Sequence, residues 1–370
     1  MSISHLHITL VGGQPAPVYQ GILFENPDKV IFICSTQTLD EAQKMSVSLS
    51  IPSEVIEVSP VDVNLINSSI NKIDISKYDK VSINISGGTK IWSILFYEYF
   101  KNNDKVEIIY IDQNNTVWNL KTKTFKDQEL IHDIKSYFSF FNINLKTSKE
   151  INALSDNDSK ICKAIEEMRN YCIKEFNDLI QNLSSKNHLN EYTTKKGSKI
   201  KYDSHSKTFH VLLKKNSGSK EWVISSPNVR YLLLNTGWFE YKVAQILSNW
   251  KHCKQILLNC EFASQDNNNT MNEVDIIVNT GKKLLFVECK TQVFNSIDID
   301  KFATVIRNYG GLASKGLLVT DAKLTNNVEK KCNNSGILTF SFENTHKFNV
   351  NPEQLLFLKL ESEWLNINPK

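Results

Sequence analysis

The chain has 370 residues, more than one hydrophobic core usually covers, which predicts two domains. Hydrophobic residues at 41% and charged residues at 22% are ordinary for a soluble globular protein, and a formal net charge of +3 neither demands nor excludes a nucleic-acid partner. Seven cysteines without CxxC spacing, no signal peptide and no apolar run near membrane-span length point to a cytoplasmic protein with no disulfide scaffold, zinc site or membrane contact.

Residues 1–145 alternate short apolar runs with helical patterns, the signature of βαβ units. His5–Val11 reads as a strand, with Gly12-Gly13-Gln14-Pro15 as the loop behind it. Val30–Cys34 is a second strand, followed by Ser35-Thr36-Gln37 and a helix through Leu49, and Glu54–Val58 is a third. Lys80–Ile85 is a fourth, ending in Ser86-Gly87-Gly88-Thr89-Lys90 and opening a helix over Ile91–Phe100. Val106–Ile111 and Val117–Leu120 complete the set, which predicts a mostly parallel sheet with helices on both faces.

The pattern weakens over 146–227, a connecting region with a helix at Ser159–Leu183 and strand candidates at Phe209–Leu213 and Glu221–Ile224. Order returns over 228–370: a helix at Phe239–Trp250, strands at Gln255–Phe262, Glu273–Val278 and Leu284–Cys289, a helix at Asp298–Tyr309, and a strand at Gly316–Thr320. The order α-β-β-β-α-β is the core of the restriction-endonuclease fold.

That topology carries an acidic constellation. Side chains alternate on a strand, so Glu288 and Lys290 share one face and Cys289 takes the other. Asp275 lies in the apolar run Val274–Val278, where a buried carboxylate is costly unless something pairs with it. Glu240, in the first half of its helix, can reach the same place. Carboxylates converging beside an ammonium suit a hard divalent cation: Asp275 and Glu288 as ligands, Glu240 as a further ligand direct or through water, and the Cys289 carbonyl as a backbone oxygen. Lys290 would then orient water or stabilise charge on a phosphate, the chemistry of metal-assisted phosphodiester hydrolysis. An ExK pair alone occurs often by chance and reads as an exposed pair on an edge strand; the other two acids and the topology favour the site. Glu273 shares the Asp275 face but starts its strand and reads as solvated, while Lys301 and Arg307 read as either phosphate contacts or solvated charges.

The glycine loops form a second constellation. Ser86-Gly87-Gly88-Thr89-Lys90 puts backbone amides, a hydroxyl and a lysine at a helix amino terminus, a ready site for phosphate. The sequence contains no GxxxxGK[ST] or GxGxxG, which argues against a P-loop or a dinucleotide site. Gly12-Gly13-Gln14 and Ser35-Thr36-Gln37 follow other strands at their carboxyl ends, the edge that carries ligands in doubly wound sheets. One Gly-Gly turn alone is a tight turn with a helix cap; three polar loops on one edge favour a site.

Together the two halves resemble the type III CRISPR ancillary effectors that join a CRISPR-associated Rossmann-fold (CARF) sensor to a PD-(D/E)xK nuclease. The resemblance rests on Ile85-Ser86-Gly87-Gly88-Thr89-Lys90 in the first half, and on Gly237-Trp238-Phe239-Glu240, Asn272-Glu273-Val274-Asp275 and Val287-Glu288-Cys289-Lys290 in the second. It implies an α/β protein: a Rossmann-like CARF domain over 1–145, and a restriction-endonuclease-like domain over 228–370. It further implies a homodimer whose paired sensors bind one cyclic oligoadenylate, cyclic tetra-adenylate, across the two-fold axis. That ligand would switch on Mg2+- or Mn2+-dependent cleavage of DNA, RNA or both. Carried onto this sequence, Ser86, Gly87, Gly88, Thr89 and Lys90 meet the ring, with Gly12, Gly13, Gln14, Ser35, Thr36 and Gln37 as further candidates. Glu240, Asp275, Glu288 and Lys290 match the family's catalytic elements, although Val274 stands where the superfamily's name-giving proline would. Two other readings stand beside it. One is a ligand-sensing, nucleic-acid-binding regulator with an inactive nuclease fold; the other, a free-standing nuclease, leaves the first 145 residues without a role.

Overall fold

Three sheets organise the chain in a computed structural model that describes residues 4–112, 114–185, 190–263, 270–291, 296–310, 314–345 and 351–367. The first sheet contains β1 (His5–Leu10), β2 (Lys29–Cys34), β3 (Ser53–Glu57), β4 (Lys80–Asn84), β5 (Val106–Ile111), β6 (Val117–Asn119) and β7 (Thr124–Lys126). Its order is β3-β2-β1-β4-β5-β6-β7, with the first five strands parallel and the last two antiparallel. Every residue of β1 is buried, as expected where helices cover both faces of a parallel sheet. Those helices are α1 (Ala16–Glu25), α2 (Leu39–Ser48), α3 (Val63–Asn71) and α4 (Lys90–Phe100). Strand order reverses between β1 and β4, so the loops after these two neighbours open at the position where doubly wound sheets receive ligands.

The chain then leaves this sheet through α5 (Ile134–Phe140) and enters the third sheet at β8 (Leu145–Glu150). The helix α6 (Asp156–Ser185) runs 30 residues with a break at Cys172 (φ −157°, ψ 84°). It packs on an antiparallel sheet of β9 (Glu191–Thr193), β10 (Lys199–Asp203), β11 (Thr208–Lys215) and β12 (Gly218–Ser225). The connecting region is therefore a built structure, with four strands where the sequence pattern indicated two. It shares a core with the α-helices that follow: Met168, Phe176, Phe209 and Trp222 cluster with Phe239 and Leu247.

The third sheet has the order β17-β16-β15-β14-β13-β8, built from β13 (Gln255–Ala263), β14 (Thr270–Asn279), β15 (Leu284–Lys290), β16 (Lys315–Thr320) and β17 (Ile337–Ser341). Strands β8, β13, β14 and β15 are antiparallel, and β15, β16 and β17 are parallel. With α7 (Val229–Leu234) and α8 (Gly237–Ser248) before it and α9 (Ser296–Gly310) between β15 and β16, the expected order α-β-β-β-α-β is present.

The first and third sheets are joined by a common apolar cluster in which Val11, Tyr19, Tyr137 and Phe138 meet Phe262, Val274 and Phe286. The β14–β15 turn is embedded in the same junction. Asn279 donates to Ile131 O at 2.7 Å, Ile131 N–H donates to Gly281 O at 2.7 Å, and Gln20 and Asn115 both donate to Lys282 O. Gly281 (φ +84°) is required here, because a Cβ would stand 2.7 Å from Glu129 Cβ.

A polar cluster lies inside the first sheet, where His5 and His7 both hydrogen-bond Ser82 Oγ, at 2.9 and 2.8 Å. Burial, with the charges of His5 and Lys80, pushes the fully enclosed His7 from its ordinary 6.5 down to about 3. Folded His7 stays neutral while the unfolded chain takes up a proton below pH 6.5, so stability falls as pH drops from 6.5 towards 3. The accumulated loss from this residue is on the order of 4 kcal/mol. Denaturant melts across that window should show a shallower acid limb for His7→Gln than for the wild type.

Candidate active site

Glu240 reaches the site because α8 starts abruptly. Thr236 adopts a left-handed conformation (φ +62°), and a Cβ at Gly237 would strike the Tyr231 ring at 2.5 Å. Glycine there lets Tyr231, from α7, lie across the helix start. Its hydroxyl donates to Glu240 Oε2 at 2.5 Å and lies 2.9 Å from Asn259 Oδ1, while Asn259 Nδ2 donates to the same Glu240 oxygen at 3.3 Å.

Asn259 marks a break in alternation. It has φ +50°, and its neighbours Leu258 and Cys260 belong to two different cores; across β14, Ile276 and Val274 divide the same way around Asp275. The β8–β13 register slips over the same stretch, between Leu258 and Glu261. Such irregularities re-aim side chains, and here the break brings polar residues into one cavity in the middle of an apolar sheet.

The cavity holds about 440 Å³, and its walls include Glu240, Asp275, Lys290, Glu261, Glu273 and Lys149. Of the sequence-predicted residues, Glu240, Asp275 and Lys290 therefore share one chamber. Glu288 stands beside it, its carboxylate 2.6 Å from the Lys290 ammonium. Asp275 Oδ2 accepts the Cys289 N–H at 2.7 Å, so Cys289 contributes its amide to the site's scaffolding. Glu273 faces Glu261 across β13–β14 on the cavity wall and is exposed as expected, but β14 begins at Thr270, so it lies within the strand and not at its start. Lys301 and Arg307 do not line this chamber; Arg307 opens onto a different one.

The electrostatics are those of like charges held together. Burial, then the charges of Glu288 and Glu240, push the Asp275 carboxyl well above the usual carboxylate range. Burial likewise raises Glu240 and Glu288, with Glu273 adding repulsion to both. Burial works against the Lys290 charge, but Glu288 and Asp275 outweigh it and hold the ammonium protonated. Among the described residues, no three Asp, Glu, His or Cys side chains already stand around one point as a metal cage. Glu240 is held by Tyr231 and Asn259, Glu288 by Lys290, and Asp275 by the Cys289 amide. The donor chemistry nevertheless fits a divalent cation, since three carboxylates face the single Lys290 ammonium and such an ion neutralises the repulsion that remains.

Sequence reasoning missed Tyr231, Asn259 and Lys149, whose ammonium lies 4.5 Å from the Tyr231 ring centre. Asn259 carries the same signal that exposed Asp275: one polar residue inside an apolar strand, Ile256-Leu257-Leu258-Asn259-Cys260.

At the edge of the first sheet, the two glycine loops touch backbone to backbone. A Cβ on Gly12 would stand 2.6 Å from Gly88 N, and one on Gly87 would stand 2.1 Å from Leu10 O. Gly88 has φ +71° and lies against the Trp92 ring, and Thr89 caps α4 by accepting the Trp92 N–H at 3.3 Å. Gly13 and Lys90 are exposed. Ser86 is engaged within the fold, donating to Asn84 Oδ1 and accepting the Ile111 N–H, each at 2.6 Å. Ser35 N–H and Thr38 Oγ1 close the turn after β2, Thr36 donates to Glu57, and Gln37 is exposed. Gln14 lines the chamber that Arg307 also lines.

Raised carboxylates imply that the acidic cluster costs folding stability at neutral pH. Asp275→Asn keeps an acceptor for the Cys289 amide and removes one buried charge. Metal-free protein with this change should gain about 1–2 kcal/mol at pH 7–8 in thermal or denaturant unfolding. The gain should shrink towards pH 4, where the wild-type carboxyl is itself protonated.

A family model of the Card1 CARF domain matches residues 6–137, and one of the Card1-like endonuclease domain matches residues 228–343. Among solved structures, Can2 from Sulfobacillus thermosulfidooxidans in complex with cyclic tetra-adenylate aligns with a TM-score of 0.71 and 18% identity, covering 98% of this chain and 99% of that one. Protein VC1899 from Vibrio cholerae gives 0.73 at 16% identity over 97% and 98%. A type III CRISPR defence DNA nuclease activated by cyclic oligoadenylate gives 0.58 at 14% identity, over 95% of this chain and 52% of that one. No curated protein matches. At such identities the structural likeness speaks to fold, and the two domain matches assign the halves: the chain belongs to the proteins in which a Card1 CARF domain is joined to a Card1-like endonuclease domain.

Proposed function

We propose that the chain is a metal-dependent nuclease of type III CRISPR antiviral defence, switched on by cyclic tetra-adenylate bound at the paired glycine loops. The observation that carries the catalytic part is the shared chamber: Glu240, Asp275 and Lys290 line it, and Glu288 is tied to Lys290 at its side. Asp275, Glu288, Glu240 and the Cys289 carbonyl would hold Mg2+ or Mn2+, which when bound supplies Lewis-acid activation of a phosphodiester. Lys290, kept protonated by its acidic neighbours, stabilises charge on the phosphate under attack. Lys149, also on the chamber wall, offers a second cation to position the strand. Tyr231 and Asn259 fix the Glu240 carboxylate, so the ligand set does not depend on a mobile side chain.

The sensor reading rests on backbone approach. With Gly12 and Gly88 in contact and Gly13 open, amides line an edge free of side-chain bulk, and Lys90 adds a charge beside the α4 terminus. A ring with two-fold symmetry needs two such edges. Exposed apolar residues flank them: Val61 at 74%, Leu65 at 57% and Ile94 at 65% lie on or beside the packed pair α3 and α4. We assign that face to a second copy of the chain.

Cleavage of single-stranded and supercoiled DNA and of RNA, with Mg2+ or Mn2+ and cyclic tri-, tetra- or hexa-adenylate, tests the whole reading. Cutting should require both metal and one of these rings, and Glu288→Ala or Lys290→Ala should slow it by about 100-fold or more. The catalytic assignment fails if the wild type cuts nothing that those variants spare. Lys90→Ala should raise the activator concentration needed for half-maximal cutting, with little change in the rate at saturating activator. Light scattering should give a dimer for the wild type and a monomer, unresponsive to activator, for Leu65→Asp/Ile94→Asp.

The separate tethering of the three carboxylates favours one alternative, a sensing regulator whose nuclease fold is inactive. Tight nucleic-acid binding in a protein that takes up no Mn2+ at millimolar concentration would establish it.

A further inference from the structure

A second chamber of about 470 Å³ lies between the first and third sheets, at the opposite end of β15 from the catalytic one. Gln14 and Asn114 line it from the first sheet, and Lys283, Arg307, Lys315 and Trp364 from the nuclease side. Gln14 belongs to the loop after β1 and Asn114 to the turn after β5, so both come from the edge that bears the glycine loops.

Its charge is unbalanced. Lys283 is only 8% exposed, and its ammonium has Asn114 Oδ1 at 3.4 Å, a weak contact. Among the described residues, no carboxylate lies within 4 Å of the charged nitrogens of Lys283, Arg307 or Lys315. The acid on the wall, Glu363, is paired with Lys359 at 2.8 Å. Asp112, the acid whose charge acts on Lys283, already accepts from the Asn114 and Thr116 amides and from Trp118 Nε1, at 2.8, 3.0 and 3.1 Å. By contrast the adjacent Lys282 is paired with Asp127. Burial depresses the Lys283 pKa, as expected of an ammonium without a counter-ion. A hairpin turn ordinarily sends a lysine to solvent. One buried here, facing an open chamber with two further cations, is arranged for an anion that arrives from outside.

We propose that this interdomain chamber binds the phosphate groups of a ligand of about mononucleotide size. Lys283 and Arg307 are the principal contacts, Lys315 completes the cationic wall, and Gln14 and Asn114 supply amide groups. The site stands independently of the proposed nuclease activity. The consequence for activity rests on that reading: Lys283 terminates the hairpin whose strands carry Asp275, Glu288 and Lys290, so an anion bound there ties the sensor loops to the catalytic strands.

Calorimetric titration of the full chain with pyrophosphate and with ATP, at fixed ionic strength and without metal, tests the site. Wild type should bind with a Kd below about 1 mM. Lys283→Met and Arg307→Ala should each weaken binding by about tenfold, and Lys301→Ala, on the same helix as Arg307 but outside the chamber, should bind as wild type. If Lys283→Met does not fold, Arg307→Ala and Lys315→Ala carry the comparison. Equal binding by wild type and chamber variants, or no binding at about 10 mM, overturns the proposal. Repeating the titration with cyclic tetra-adenylate separates the sources. A loss for Lys283→Met here too identifies the phosphates as the ring's own, whereas a loss confined to pyrophosphate and ATP identifies a separate nucleotide. Glu288→Ala should keep pyrophosphate binding while losing cleavage, so failure of the chamber and failure of the nuclease reading are told apart.

Discussion

Like charges confined at the break in the third sheet are the constraint around which the rest is arranged. Buried carboxylates repel, and the fold keeps Glu240, Asp275 and Glu288 near one another only by giving each a different tether. The tethers explain otherwise odd features: a glycine at the start of α8 to admit Tyr231, a left-handed asparagine in mid-strand, and an ammonium two residues from a glutamate. Each is a local departure from the rules of good helices and strands, and departures of this kind concentrate where chemistry is done.

The two ends of one hairpin have different tasks. At its open end, β14 and β15 present Asp275, Glu288 and Lys290; at its closed end, Asn279 to Lys283 are threaded into hydrogen bonds from α1, the β5–β6 turn and the segment before α5. Helix α1 follows directly from the Gly12-Gly13 loop, and Asn84, before the Gly87-Gly88 loop, donates to Pro17 O at its start. Packed elements transmit displacement because they resettle between discrete arrangements rather than deforming smoothly. A ligand that shifts the glycine loops thus has a short mechanical path to the carboxylates.

Much of this was legible in the residues. The βαβ alternation, the loops at the strand ends and the α-β-β-β-α-β order follow from apolar spacing, and the acids stood out because they interrupt apolar strands. Other parts leave no such trace. Strand β8, Leu-Lys-Thr-Ser-Lys-Glu, has hardly any apolar content because it pairs at an edge, so nothing in it announces membership of a sheet built 110 residues later. Strand β12 is polar over its first half for a similar reason. The left-handed backbone at Asn259 and the aim of Tyr231 depend on tertiary fit, and helical periodicity could not say which chamber Arg307 would face.

The common apolar cluster also bears on how such proteins diversify. Tyr19, Tyr137 and Phe138 from the sensor half are packed against Phe262 and Phe286 from the other, with the Phe138 and Phe262 rings 5.1 Å apart and nearly perpendicular. Recombination that kept one half and replaced the other would leave those rings facing water, at a cost comparable to opening a domain core. Shuffling of input and output modules in this lineage is therefore constrained to exchanges that bring a matching aromatic face with them.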